Sequence, residues 1–265
     1  MQTQTLQVSD DVERLVVVSD IHGFVEPLRV LDGILASCSE PVQVVAGGDY
    51  VSTGARPVEA VEWVRRHAGR FAVRGNHDDG ALVEAEGQHP PWTEPGVYVR
   101  LNPEQRKYLN DLPDVLELTW KGRRIRVTHG LDRLGRLMSW RAMTQEVFET
   151  FADPEVAVTI TGHTHFPFVK SRGGCGVSNS GALSYLMMGF KQDDGPVAWR
   201  SPSPHEPAPE TFGTFLSVTI DRAGVDVSVE RCPFDAQKEI QCLRDAGRRD
   251  VAVLNDLLAT GIVKR

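Results

Sequence analysis

The chain has 265 residues, of which 41% are hydrophobic and 25% are charged, and its formal net charge is −7. This length is enough for one large α/β domain, or two small ones, with an ample core. The acidic charge argues against a nucleic-acid polymer as the main partner, because phosphate backbones select basic surfaces. A locally positive site made by metal ions remains compatible with it.

The sequence has no pattern typical of secretion or membrane insertion. Residues 1–14 (MQTQTLQVSDDVER) are polar and acidic, unlike a signal peptide. No apolar run approaches the ~20 residues that a membrane span requires. The cysteines form no CxxC pair and are scattered, at Cys38, Cys175, Cys232 and Cys242. We therefore expect a cytoplasmic protein with reduced thiols and no membrane partner.

The first part of the chain alternates between expected strands and helices. Residues 15–19 (LVVVS), 42–46 (VQVVA) and 71–74 (FAVR) predict three buried strands. Leucines at helical spacing after Pro27 predict one helix, and a second begins at Pro57 and ends near Gly69. Strands joined by helices in this order predict a parallel sheet with helical crossovers.

The elements expected between residues 80 and 165 are more varied. Residues 87–96 carry three prolines and predict a loop, and Asn102-Pro103 predicts the start of a helix that continues through Leu109. Two apolar runs joined by Lys121-Gly122 predict a β-hairpin. A helix is predicted at 140–151 and a buried strand at 156–160 (VAVTI).

The last hundred residues predict mainly strands. These are expected at 166–170, 175–180, 184–190, 215–220 and 225–230, with a proline-rich loop at 191–211. The predicted fold class is α/β: one domain over 1–265, a four-layer α-β-β-α sandwich of two packed mixed sheets with helices outside. We expect the ligand motifs within 15–165, the second-sheet strands within 166–231 and C-terminal helices within 235–260.

Five strand ends carry Asp, His or Asn beside glycine. The motifs are DIHG at 20–23, GGD at 47–49, GNHD at 75–78, HG at 129–130 and GHTH at 162–165. Each motif alone is as readily a turn or a helix cap. Five of the eight histidines fall in these motifs, however, and structural histidines have no reason to gather on one edge of a sheet. The set therefore predicts a metal site at the carboxyl ends of the strands.

The donor types indicate which metals this site would take. The motifs offer seven candidate ligands of the Asp, Asn and His types, and no thiolate. Such donors suit divalent Mn, Fe, Zn, Ni or Co, and seven exceed what one such ion usually takes. Two ions that share a bridging carboxylate fit better, with a bridging hydroxide as the nucleophile in phosphoryl displacement.

The motifs DIHG, GGDYVSTG, RGNHDD, THG and TGHTH, in this order, resemble the calcineurin-like metallophosphoesterase superfamily, in particular its stand-alone bacterial members. The resemblance spans nearly the whole chain. It implies that Asp20, His22 and His165 hold the first metal, that Asp49 bridges, and that Asn76, His129 and His163 complete the second. It also implies that His77 gives a proton to the leaving group from outside the metal shell.

One motif departs from this family's pattern. Where many relatives have GDxVDRG, this chain has Ser52 in place of the aspartate that orients the catalytic histidine, and Thr53 in place of a phosphate-binding arginine. Asp78 and Asp79 are the candidates to replace the aspartate. Arg74, just before the GNHD motif, is a candidate phosphate contact, and a surface arginine that closes a strand is an equal alternative.

We expect a metal-dependent phosphoesterase that acts on a small-molecule phosphate ester and favours a phosphodiester, because the arginine clamp for a terminal phosphate dianion is missing. A phosphomonoesterase and a dinucleoside polyphosphate hydrolase remain alternatives. A non-catalytic scaffold is the minority alternative, since all seven positions keep metal-binding residue types. Specificity is expected in the loops at 84–96, 131–139 and 202–209. The sequence indicates no oligomeric state.

Overall fold

A computed structural model describes residues 1–84, 87–88, 96–130, 152–185, 189–191, 211–260 and 262–264. The strands are β1 Thr3–Gln7, β2 Arg14–Val18, β3 Val42–Ala46, β4 Val115–Trp120, β5 Arg123–Thr128, β6 Val158–Thr161, β7 Phe168–Arg172, β8 Cys175–Asn179, β9 Gly189–Lys191, β10 Phe212–Ile220, β11 Val225–Pro233 and β12 Ile262–Lys264. The helices are α1 Glu26–Ser37, α2 Pro57–His67, α3 Asn76–Val83, α4 Val97–Arg100, α5 Pro103–Asp111, α6 Ala236–Asp245 and α7 Val251–Thr260.

Two mixed sheets with helices build the fold, as the sequence predicts. One sheet has six strands in the order β1-β4-β5-β6-β8-β7, and the other has four in the order β11-β10-β2-β3. In the four-stranded sheet β2 is parallel to β3 and antiparallel to β10. In the six-stranded sheet β6 runs parallel to both β5 and β8, and the hairpin β4–β5 is antiparallel.

The predicted assignment of strands to sheets is wrong. The strands that carry the motifs do not share one sheet: β2 and β3 lie in the four-stranded sheet, whereas β5 and β6 lie in the six-stranded sheet. Each sheet is completed by later strands, β10 and β11 in one case and β7 and β8 in the other. Buried strands read as continuous apolar runs, so their pattern does not reveal which strand is the neighbour.

Several smaller expectations also differ from the structure. Residues 71–74 form only a single bridge, between Ala72 and Ala46, instead of a strand. The polar segment TQTLQ forms β1, which the sequence analysis did not predict, and pairs with β4. Of the strand expected at 184–190, residues 189–190 lie in β9. Residues 184–185 lie outside any strand, and 186–188 fall outside the described residues.

The core lies between the two sheets and beneath the helices. Alternation along β2 sends Leu15 and Val17 to the inter-sheet cluster, where they join Leu116 and Ile160 of the six-stranded sheet. Val16 and Val18 point the other way, into the cluster beneath α1 and α2. The helix predicted at 140–151, and the loops at 131–139 and 202–209, lie outside the described residues.

The C-terminal helices are confirmed, and they are tied to the first βα unit. Glu239 of α6 is fully buried and accepts hydrogen bonds from the backbone N–H groups of Val25 and Glu26 at the start of α1, at 2.5 and 2.6 Å. Arg56 pairs with the same carboxylate at 2.9 Å. The contact holds α6 against the segment that leads into α1. None of the described helices has the length and apolar character needed to span a membrane.

Candidate metal centre

All seven candidate ligands converge at one edge of the two sheets, six of them after strands and Asn76 at the start of α3. In a first cluster, His165 Nε2 lies 3.2 Å from Asp20 Oδ1 and 3.0 Å from His22 Nε2. His22 Nε2 lies 3.8 Å from the same Asp20 oxygen. Asp20 and His22 follow β2, whereas His165 follows β6, so this cluster joins the two sheets.

A second cluster contains Asp49, Asn76, His129 and His163. His129 Nε2 lies 3.0 Å from Asp49 Oδ2 and 3.2 Å from Asn76 Oδ1. His163 Nδ1 lies 2.8 Å from the same Asn76 oxygen. The two histidines of the GHTH motif therefore face different clusters.

Asp49 lies between the clusters. Its Oδ2 is 3.0 Å from His129 Nε2 and 3.8 Å from His22 Nε2, while its Oδ1 accepts the backbone N–H of His77 at 2.8 Å. One carboxylate oxygen thus adjoins donors of both clusters. This is the position that a bridging ligand needs.

The hydrogen-bonding state of the imidazoles fits bound cations. His129 Nδ1 lies 2.8 Å from the carbonyl oxygen of Gly47, and His165 Nδ1 lies 2.9 Å from that of Tyr185. A carbonyl only accepts, so each Nδ1 carries the hydrogen and each Nε2 faces a carboxylate. Backbone carbonyls fix metal-binding histidines in this way. A carboxylate that faces Nε2 favours a positive charge there, either a proton on the nitrogen or a bound cation.

The pKa shifts at the centre also indicate that positive charge is favoured there. Burial alone would raise the pKa of Asp20 and of Asp49, but the facing imidazoles outweigh it and hold the pKa of both carboxyl groups below its usual range. For His129, burial alone would lower the pKa, but Asp49 outweighs it and raises the pKa to about 10. The two buried carboxylates therefore favour positive charge on the imidazoles beside them.

The backbone is strained at the ligands. Five candidate ligands have left-handed φ angles: Asp20 (56°), His22 (52°), Asp49 (59°), His163 (69°) and His165 (56°). Such angles cost a non-glycine residue about 1–3 kcal/mol and persist only where the surroundings enforce them. Gly75 permits the close packing, since a Cβ there would lie 2.2 Å from Asp49 Oδ1. The chain turns sharply after each strand and thereby aims its side chains inward.

His77 lies beside the centre but is not oriented by either proposed aspartate. Its ring is 4.7 Å from that of His22, edge to face, and its buried Nδ1 has no hydrogen-bond partner among the described residues. Burial and the neighbouring His22 lower the pKa of His77 to about 4. Asp78 instead accepts backbone N–H groups, and Asp79 pairs with Arg74. The expected replacement for the missing aspartate is therefore not found at these two residues.

Arg74 lies at the centre's edge with its guanidinium already engaged. It lines a cavity of about 80 Å³ together with Asn76, His129 and His163. It pairs with Asp79, lies 3.5 Å from Asp114 Oδ1, and donates to the carbonyl oxygen of Asn110 at 3.0 Å. Arg74 is near enough to the site to contact a phosphate. Its local ion-pair network equally fits the alternative of a surface arginine that closes a strand.

Three residues support the site through contacts that the sequence did not predict. Asp78 is fully buried and accepts backbone N–H groups from Asp49, Tyr50 and Gly75 at 2.9–3.0 Å, which fixes the Asp49 turn. Tyr185 places its ring 4.6 Å from that of His165 and shares a side-chain hydrogen bond with Thr53. Arg248, from the C-terminal segment, donates to the carbonyl oxygen of Thr53 at 2.6 Å. Long-range partners of this kind follow no local pattern.

Comparison with known proteins gives a family match and several similar folds. The profile of the calcineurin-like phosphoesterase superfamily domain matches residues 14–193. A metallophosphoesterase from Sphaerobacter thermophilus is 21% identical, with a TM-score of 0.66, over 94% of this chain and 99% of that one. A hypothetical protein from Pyrococcus horikoshii is 16% identical, with a TM-score of 0.66, over 94% and 98%.

A protein described as a candidate diadenosine tetraphosphatase is 14% identical, with a TM-score of 0.54, over 86% of this chain and 97% of that one. At these identities the three structures establish a shared fold. No curated protein matches the chain significantly.

The contrasting environments of Asp78 and Asp79 give a matched test of the Asp49 turn. We expect Asp78→Ala to lower the free energy of unfolding by about 3 kcal/mol or more, because it leaves three buried backbone N–H groups without their acceptor, at about 1–3 kcal/mol each. Asp79→Ala breaks one half-exposed ion pair and should cost about 0–1 kcal/mol. Urea unfolding of both variants measures the difference, and equal losses would contradict the role given to Asp78.

Proposed function

The chain belongs to the calcineurin-like phosphoesterase superfamily and is a hydrolase of phosphate esters, and we propose that it cleaves phosphodiesters at a centre of two divalent transition-metal ions. The observation that carries the proposal is the place of Asp49 Oδ2 between two clusters of nitrogen and oxygen donors. These donors, without thiolate, suit Mn, Fe, Zn, Ni or Co.

The proposed ligand sets follow the two clusters. Asp20, His22 and His165 would hold one ion, Asn76, His129 and His163 would hold the other, and Asp49 would bridge. When bound, two such ions activate a water molecule and offset charge on the attacking and leaving oxygens. In the reaction the water oxygen bonds to phosphorus, the bond from phosphorus to the leaving oxygen breaks, and a proton ends on that oxygen.

His77 is the residue that we propose gives this proton. Its backbone N–H is held by Asp49 Oδ1, so the ring is positioned by the same carboxylate that joins the clusters. Only its position beside the centre supports this role, because the carboxylate partner found in many relatives is replaced by Ser52. The pKa of about 4 leaves the ring neutral in the free protein, so the negative charge of the bound phosphate ester must raise this pKa before the ring can give a proton. The convergence of all seven ligand side chains does not favour the non-catalytic scaffold alternative.

A diester is favoured because two guanidinium groups near the centre, those of Arg74 and Arg248, are already paired. Arg74 is bound by Asp79 and Asp114. Arg248, next to Thr53, gives its Nε and a terminal nitrogen to Asp250, at 3.0 and 2.7 Å. A monoester dianion gains most from a free two-nitrogen clamp, whereas a diester carries a single charge and needs it less. We therefore place the phosphomonoesterase activity second.

Metal content tests the bridging role. We expect the Mn-loaded protein to retain about two ions per chain, and Asp49→Asn to lose metal together with activity, since a neutral amide bridges poorly. Elemental analysis after gel filtration measures this. Asp226→Asn, an exposed change on β11, is the control and should retain the metal. Full occupancy in Asp49→Asn would remove this residue from the bridge.

Leaving-group dependence tests His77. We expect His77→Asn to keep its metal content but to lower kcat for alkyl esters by roughly 10²–10⁴-fold, the usual contribution of general acid catalysis. The loss should be small for 4-nitrophenyl esters, whose oxygen departs unaided. His67→Asn on α2, away from the centre, is the control. A variant that instead empties a metal site would show that His77 is a ligand.

The ratio of diester to monoester hydrolysis tests the substrate class. We expect the wild type to have the higher kcat/KM for an aryl phosphodiester, and Thr53→Arg to shift the ratio toward the matched monoester because it restores a phosphate clamp. Thr53→Gln, long but uncharged, controls for the lost hydrogen bond to Tyr185. A wild-type preference for monoesters that Thr53→Arg leaves unchanged would contradict the proposal.

A further inference from the structure

Two cavities meet at one pair of residues beside the metal centre. The small one, about 80 Å³, is bordered by Asn76, His129 and His163 of the second cluster. The second, of about 730 Å³, is open to solvent and shares only Arg74 and Asp79 with the first. We call it the α3–α5 cavity, because its remaining lining residues belong to α3, α4 and α5.

The sizes of the two cavities indicate which part of the substrate each would hold. The small cavity has the volume of only a few water molecules, at ~30 Å³ each in the liquid, so it suits a phosphoryl group and little more. A diester also carries a second substituent, which must lie outside it. The α3–α5 cavity borders the small one and falls within the roughly 300–1,000 Å³ typical of small-molecule sites.

The lining of the α3–α5 cavity suits a flat ring. The guanidinium of Arg106 lies over the ring of Tyr98, 4.1 Å from its centroid, and its Nε donates to the carbonyl oxygen of the same residue at 3.0 Å. Leu82 and Val83 of α3 add apolar lining. A stacked guanidinium–tyrosine pair with apolar side chains nearby is the kind of surface on which nucleobases stack.

The same cavity also offers positive charge. Its lining has three basic and two acidic residues in a chain of net charge −7. Arg74 pairs with Asp79, and Lys107 pairs with Asp111. Arg106 bonds to the carbonyl oxygens of Tyr98 and Val99, and in the described part of the chain no carboxylate forms an ion pair with it. Among the basic residues that line this cavity, Arg106 is therefore the one whose charge is available to attract an anion.

We propose that the α3–α5 cavity binds the second substituent of the diester and that this substituent is a nucleotide, a planar base that carries a phosphate of its own. The inference rests on the proposed function, because the adjoining centre supplies the cleavage. The base would stack on the Arg106–Tyr98 pair and its phosphate would meet the charge of Arg106.

Adenosine 5′-monophosphate is the probe, with binding to the Mn-loaded full chain measured by titration calorimetry. We expect Arg106→Gln to raise its Kd by about 10- to 100-fold, the usual loss for a hydrogen bond to a charged group. Arg66→Gln removes the same charge from an exposed position on α2 and should leave the Kd unchanged. An intermolecular NMR contact between adenine protons and the Tyr98 ring, measured in the Zn-loaded wild type because Zn²⁺ is diamagnetic, needs no variant.

Each contrary result identifies what fails. No binding to the wild type, an equal loss in both variants, no loss in Arg106→Gln, or adenine contacts elsewhere would overturn the subsite. Hydrolysis of bis(4-nitrophenyl) phosphate by the same preparation tests the proposed function separately. Hydrolysis without nucleotide binding would reject the subsite alone, and binding through Arg106 without hydrolysis would reject the diesterase activity and leave a nucleotide site.

Discussion

The structure of the centre depends on two carboxylates, Asp20 and Asp49, which are buried almost completely and face imidazole nitrogens. An uncompensated buried charge is costly, so the surroundings must supply positive charge. Nδ1 of His129 and of His165 faces a backbone carbonyl, so these rings supply positive charge only when Nε2 is protonated. The divalent cations that we propose would supply the charge instead, and their coordination would hold the strained backbones of the candidate ligands in place.

The centre also joins the two sheets. Asp20, His22 and Asp49 follow strands of the four-stranded sheet, whereas His129, His163 and His165 follow strands of the six-stranded sheet. Apolar packing holds the sheets together between their faces, and the candidate ligands of both sheets meet at one edge. The C-terminal segment reaches the same edge through Arg248 and Glu239, outside the region that the family profile matches. Positioning of the site is thus shared by elements far apart in sequence.

The residues that converge at the centre could be predicted because their signal is local. Asp20, Asp49 and the GHTH histidines each follow an apolar strand beside glycine, and strand ends converge in any such fold. The partition of strands between sheets could not be predicted, since buried strands are apolar on both faces. Asp78, Tyr185 and Arg248 act through backbone groups or partners far along the chain. No spacing rule reports contacts of that kind.

The central claim is that one oxygen of Asp49 joins two metal ions. Anomalous diffraction from crystals of the Mn-loaded protein tests it most directly. We expect two Mn peaks about 3.5–4 Å apart, with Asp49 bound to both, Asp20, His22 and His165 at one, and Asn76, His129 and His163 at the other. A single peak, or two peaks with Asp49 bound to only one of them, would contradict it.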